Sequence, residues 1–101
     1  MVGSEGHRQR VLEKFLTYGG EIFADYELLE FILMQSIPRK DVKPLAKELL
    51  ASFGSLESVL NASTDQLKQV KGIGNHTIAL FHLMMTVSQK ITKDKLKQAP
   101  I

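Results

Sequence analysis

Residues 70–79 read VKGIGNHTIA: two glycines flank an isoleucine, and a polar stretch follows that is suited to starting a helix. A Gly-x-Gly between two helices has two readings. It is either a C-cap and turn with the isoleucine packed below, or a main-chain surface that holds a phosphate. Which reading applies depends on what flanks it, so the rest of the chain is read outward from this point.

Downstream, apolar residues at helical spacing predict a long helix from about Asn75 to Ile91, followed by a polar, basic tail, KITKDKLKQAPI, expected to fray. Upstream, Ser63-Thr-Asp-Gln66 has the form of a capping box and opens a short helix ending near Val70. Before it, Ser55 opens another short helix through Leu60, and Gly54 closes a helix over Val42–Phe53. Asp41 is placed to cap that helix and Pro44 falls in its first turn, where a missing N–H costs little. Ser36-Ile37-Pro38 interrupts a nearly all-apolar helix from Tyr26 to Gln35, capped by Asp25. A first helix is expected over His7–Thr17, with Val11, Leu12, Phe15 and Leu16 on one side, ended by Gly19-Gly20.

No stretch alternates apolar and polar residues as a strand would. The expected fold is therefore all-α, a compact bundle of five to six short helices. Its domain is expected over residues 1–91, with 92–101 as a basic tail or the start of a linker.

An internal echo bears on the opening stretch. Leu67, Val70, Ile73, Ile78 and Phe81 stand 36 positions after Phe31, Met34, Ile37, Val42 and Leu45 (73 − 37 = 36), and each set runs helix, break, helix. This predicts a helix–hairpin–helix pair: one GIG hairpin and one degenerate SIPRKD hairpin, related by a pseudo-twofold axis. Ile73 and Ile37 would support the two turns from below.

The chemistry expected at the GIG hairpin is anion binding. Glycine lets a phosphate approach the main chain closely, and the first turn of the following helix adds unpaired N–H donors and a partial positive charge. The candidate contacts are Gly72, Ile73, Gly74, Asn75, His76 and Thr77, with Lys68 and Lys71 on the approach side. In the SIPRKD hairpin Pro38 lacks an N–H, so Arg39, Lys40 and Lys43 would supply charge instead, partly offset by Asp41. The other reading of that segment, a solvated basic turn, stands beside it. Such contacts hold the sugar–phosphate backbone and read no bases.

Composition narrows the remaining classes. The chain has 101 residues, 44% of them hydrophobic, no cysteine and a formal charge of +2. That excludes disulfides and thiolate ligands and fits a cytoplasmic setting. There is no apolar run of membrane-spanning length, so no membrane is expected as a partner. The three histidines, His7, His76 and His82, form no HExxH or HxH pattern, and no serine or threonine has a recognisable base partner. The chain is not expected to be an enzyme, to need a cofactor or to hold a catalytic metal, and a monomer is expected.

GHRQRVLEKFL (6–16), DYELLEFIL (25–33), IPRKDVKPLAKELL (37–50), FGSLESVL (53–60) and VKGIG (70–74), in this order, resemble the N-terminal domain of the RadC family over roughly residues 6–90. The resemblance implies a helix–hairpin–helix domain that binds DNA and is associated with DNA repair. It also implies a JAMM-type metallopeptidase-like domain after it in the full-length protein, whose zinc motif this sequence lacks. By analogy with such hairpins, the carbonyls around Gly72–Gly74 offer a place for a monovalent cation. Three positions depart from the commonest hairpin pattern. Val70-Lys71 replaces leucine-proline, His76 stands where a lysine is usual, and Ile78 stands where a small residue is usual. The alternative function is a protein-interaction or structural module that docks the JAMM-type domain or another partner, through apolar surface on the last helix (Leu83, Met84, Val87).

Overall fold

A computed structural model of the chain describes residues 3–98. Six α-helices follow one another among the described residues: α1 (Gly3–Tyr18), α2 (Asp25–Met34), α3 (Lys43–Phe53), α4 (Leu56–Asn61), α5 (Thr64–Lys68) and α6 (Asn75–Gln98). A 3-10 turn at Gly20–Ile22 joins α1 to α2, and no strand occurs among the described residues. The fold is all-α, as the periodicity predicts. The chain divides into two units, Met1–Val59 and Leu60–Ile101, the boundary falling inside α4.

Local chemistry explains most helix ends. Gly19 (φ +81°) and Gly54 (φ +98°), both at positive φ and Gly54 in the left-handed helical conformation, close α1 and α3, each donating its N–H back one turn, to Phe15 O and Leu50 O, at 2.8 Å. The capping box before α5 is complete: Gln66 N–H donates to Ser63 Oγ at 3.2 Å, and Ser63 N–H donates to Gln66 Oε1 at 3.0 Å. At α2 the cap differs from expectation. Asp25 is already helical, and Ala24, which has no side-chain acceptor, is the N-cap; its N–H donates to Glu27 Oε1 at 2.9 Å. Asp41 is likewise not the N-cap of α3: Val42 takes that position, and Asp41, one residue further out, accepts from Lys43 N–H through Oδ1 at 3.0 Å.

In the first unit α2 and α3 make the most extensive helix–helix contact. Leu29 and Leu33 of α2 are buried, as are Val42 and, on α3, Ala46 and Leu49. On α1, the half-buried positions His7, Val11 and Phe15 form an i, i+4 stripe, and Phe15 packs against Phe23 and Phe31, with ring centroids 5.8 and 5.2 Å apart. Leu12 and Leu16 lie about 100° round the helix from that stripe and are exposed, Leu16 by 73%, so the expectation of a four-residue apolar side is corrected. In the second unit Leu60, Ala62, Leu67, Ile78 and Phe81 are buried. His82 fixes α6 to the α4–α5 connection by donating Nε2–H to Ala62 O at 2.8 Å.

The expected frayed tail is also corrected: α6 continues to Gln98 and is 24 residues long, so it is not a short helix. No glycine or proline interrupts residues 91–98, and Lys95 and Lys97 in the last turn suit the negative end of the helix dipole. The API at the end of the tail lies outside the described residues.

Candidate nucleic-acid interface

The GIG segment is built from a turn and a helix start. Leu67 is buried, and Val70 N–H donates to Leu67 O at 3.1 Å as α5 unwinds. Ile73 N–H then donates to Val70 O at 3.2 Å, closing a four-residue turn whose third residue, Gly72, has φ +97°. A left-handed third residue is the type II requirement, which glycine meets at no steric cost. Helix α6 begins with Ile78 N–H donating to Gly74 O at 3.1 Å. Asn75 and His76, exposed in the first turn, therefore carry N–H groups that precede the first intrahelical bond.

Lys68, Lys71, Gly72, Gly74, Asn75 and His76 are exposed. Ile73 is half-buried. Thr77 departs from the expected contact set: the residue is only 2% exposed, next to buried Ile78, so it offers little surface to a ligand. Gly74 is the informative position. Its φ is not left-handed and a Cβ built there meets no atom within 4 Å, so neither backbone strain nor crowding demands glycine; its one local role is the N-cap position of α6, which glycine fills better than alanine or valine.

The SIPRKD segment is organised differently. Eight residues separate α2 from α3, against six between α5 and α6. Val42 is the N-cap residue of α3, whereas its echo Ile78 lies inside α6, so the two segments share an apolar pattern but not a helix register. Arg39 and Lys40 are exposed, Ile37 is half-buried and Lys43 is half-buried. Arg39 has φ +64°, the one left-handed non-glycine residue described.

Two residues that the sequence reading left unassigned organise this unit. Arg8 of α1 donates from Nη1 to Met34 O at 2.9 Å and from Nη2 to Ile37 O and Lys40 O at 2.6 and 2.7 Å. Glu30 of α2 is 2% exposed and pairs through Oε2 with His7 Nε2 at 3.0 Å. Both partnerships span more than twenty positions, and no local pattern signals them; the only trace is a charged residue inside an otherwise apolar helix. A cleft of about 150 Å³ opens beside this pair, lined among others by Lys14, Tyr26, Glu27 and Lys43. The Ala24 N–H bond chiefly holds the Glu27 carboxyl below the ordinary carboxylate range; burial opposes it, and Lys14, 3.6 Å away, adds to it. Among the described residues no group of three or more His, Asp or Glu is placed to hold a metal ion, and no helix is long and apolar enough to cross a membrane.

An all-helical N-terminal domain of the RadC type is the class that these elements and ordered blocks define. The chain belongs to the UPF0758 N-terminal family, which matches residues 5–79. It is 47% identical over 94 residues to a UPF0758 protein of Fusobacterium nucleatum subsp. nucleatum, covering 93% of this chain and 40% of that protein. It is 40% identical over 95 residues to a UPF0758 protein of Ruegeria pomeroyi, covering 94% of this chain and 42% of that protein. A UPF0758 protein of Rhodobacter capsulatus is 42% identical over 89 residues, with 88% and 42% covered. The chain thus spans about two-fifths of the length of these curated relatives. No solved structure matches it.

Proposed function

We propose that this chain binds the DNA backbone without sequence specificity, using helix–hairpin–helix segments, and that it serves DNA repair in the cytoplasm as the family resemblance implies. The observation that carries the reading is Gly74. It is exposed and conformationally ordinary, with open space where a Cβ would be, and it sits between the Gly72 turn and the first-turn N–H groups of α6. Glycine at this N-cap position leaves the main chain open to close approach of a phosphate. Exposed Lys68 and Lys71 add charge on the same segment, and Arg39, Lys40 and Lys43 form a second basic contact in the first unit. The hairpin carbonyls near Gly72–Gly74 are the proposed place for a monovalent cation, and the chain acts as a monomer.

Fluorescence anisotropy with a short labelled duplex at low and moderate salt tests this. Backbone contacts release counterions, so affinity falls steeply as salt rises. Absence of binding at low salt sinks the reading.

A second reading is favoured by a separate observation. Leu83, Val87 and Ile91 of α6 are 59%, 46% and 50% exposed, with Met84 beside them. Several large apolar side chains open on one helix suit a protein partner, and methionine suits adaptable contact. In this reading the domain docks another part of the longer polypeptide, the JAMM-type domain, or a separate protein. Charge substitution at Val87 weakening that association while leaving duplex affinity unchanged is its signature.

A further inference from the structure

We infer that Arg8 is the positioning residue of the basic loop between α2 and α3, acting as a built-in cation around which residues 34–40 fold. The functional consequence drawn below rests on the DNA-backbone reading; the positioning itself does not.

Three carbonyls from one short segment, Met34 O, Ile37 O and Lys40 O, receive N–H donors from a single guanidinium at 2.6–2.9 Å. The first lies at the C-terminal end of α2, where carbonyls lack helical partners and carry partial negative charge. A planar fork with two separate terminal nitrogens and a permanent charge suits this cradle better than an ammonium, a single point of charge. Ser36 Oγ donates to Leu33 O at 3.5 Å at the start of the loop. Its main-chain bonds run as far as Ile37 N–H to Leu33 O, and Pro38 has no N–H to give. Beyond that, the next described bond is Lys43 N–H to Asp41 Oδ1.

Between the two Nη2 contacts stands Arg39 at φ +64°. A left-handed conformation is disfavoured for a non-glycine residue and persists only where the surroundings over-determine it. The bracketing bonds at Ile37 and Lys40 supply that constraint. With the carbonyls engaged from the α1 side, Arg39 and Lys40 stay exposed while Arg8 itself is half-buried. Arg8 therefore contributes to the loop chiefly by setting where the outer charges stand.

The experiment compares the wild-type chain with Arg8→Ala and Arg8→Lys by two-dimensional amide NMR and by duplex anisotropy, each with and without millimolar guanidinium chloride against matched sodium chloride. In Arg8→Ala, the amides of Ile37, Arg39 and Lys40 shift and exchange faster. Guanidinium restores them and sodium does not. Duplex affinity falls about tenfold, the scale of losing the two loop contacts. That fall is absent in an Arg39→Ala/Lys40→Ala background, which separates positioning from general loss of stability. If Arg8→Ala does not fold, Arg8→Lys shows the same loop shifts at smaller amplitude. Loop amides unmoved in the folded variants overturn the inference. So does an affinity loss that persists undiminished in the double-substituted background. If the wild type binds no duplex but the loop amides move and guanidinium restores them, the positioning role is supported and the DNA-backbone reading fails.

Discussion

His7 Nε2 on α1 lies 3.0 Å from Oε2 of Glu30 on α2, and Glu30 is almost fully buried. A carboxylate removed from water needs a partner, and its loss leaves an uncompensated polar group. His7→Ala is therefore expected to lower stability by about 1–3 kcal/mol. Glu30→Gln, which keeps a hydrogen-bonding partner for the imidazole, should lower it by less than about 1 kcal/mol. Urea unfolding followed by circular dichroism separates the two; equal losses contradict the account.

Glu27 gives a pH dependence. Its carboxyl titrates below the ordinary range, chiefly because Ala24 N–H donates to it. The unfolded chain then takes up the proton more readily than the folded one. The contribution is complete above the unfolded pKa and is lost as pH falls through the depressed folded value. Wild type should exceed Glu27→Gln by about 0.5–1 kcal/mol near neutral pH, a modest figure because the group is partly exposed. The gap should close as pH is lowered through the carboxylate range, to about pH 3. Urea melts of both proteins across that interval read the difference directly.

Arg39 separates stability from binding. Replacing it with glycine relieves a left-handed side chain, worth about 1–2 kcal/mol, and costs about 0.4–1 kcal/mol through the freer unfolded chain. Arg39→Gly should thus be more stable by about 0.5 kcal/mol and yet bind duplex more weakly. A variant that is less stable than wild type would show that the conformation is not a strained one.

Gly54 and Gly74 form a matched pair. A Cβ meets nothing within 4 Å at either, but only Gly54 has a left-handed φ. Gly54→Ala should lose about 1–2 kcal/mol. Gly74→Ala should lose less, under about 1 kcal/mol, because alanine is the poorer N-cap residue but restricts the unfolded chain. Thermal melts of the two variants side by side check this, and a comparable loss at Gly74 would assign that glycine a structural duty.

These contrasts mark what could be read from the residues. Helix ends written in local chemistry, such as the Ser63–Gln66 box, Gly19, Gly54 and Pro44 in the first turn of α3, were legible because each acts within one turn. The inward turn of Thr77 was not, because it depends on which face of α6, shared with Ile78 and Phe81, is buried rather than on the motif. Arg8 and Glu30 were hidden for a related reason: a cation reaching carbonyls 26–32 positions away, or a carboxylate facing inward, leaves no periodic trace. The length of α6 was underread because lysine-rich sequence suggests solvent, while the helix dipole favours lysines at that end. At the candidate interface the exposed GIG main chain was legible, and the fixed geometry of the SIPRKD loop was not.

The most direct measurement of the central claim is duplex anisotropy across a salt series for wild type and Gly74→Val, with helix content and melting temperature recorded on the same samples. The account predicts an unchanged fold, a wild-type affinity that falls steeply with salt, and a Gly74→Val affinity reduced by about tenfold or more with a shallower salt slope. A folded Gly74→Val protein that binds duplex as wild type does would contradict it.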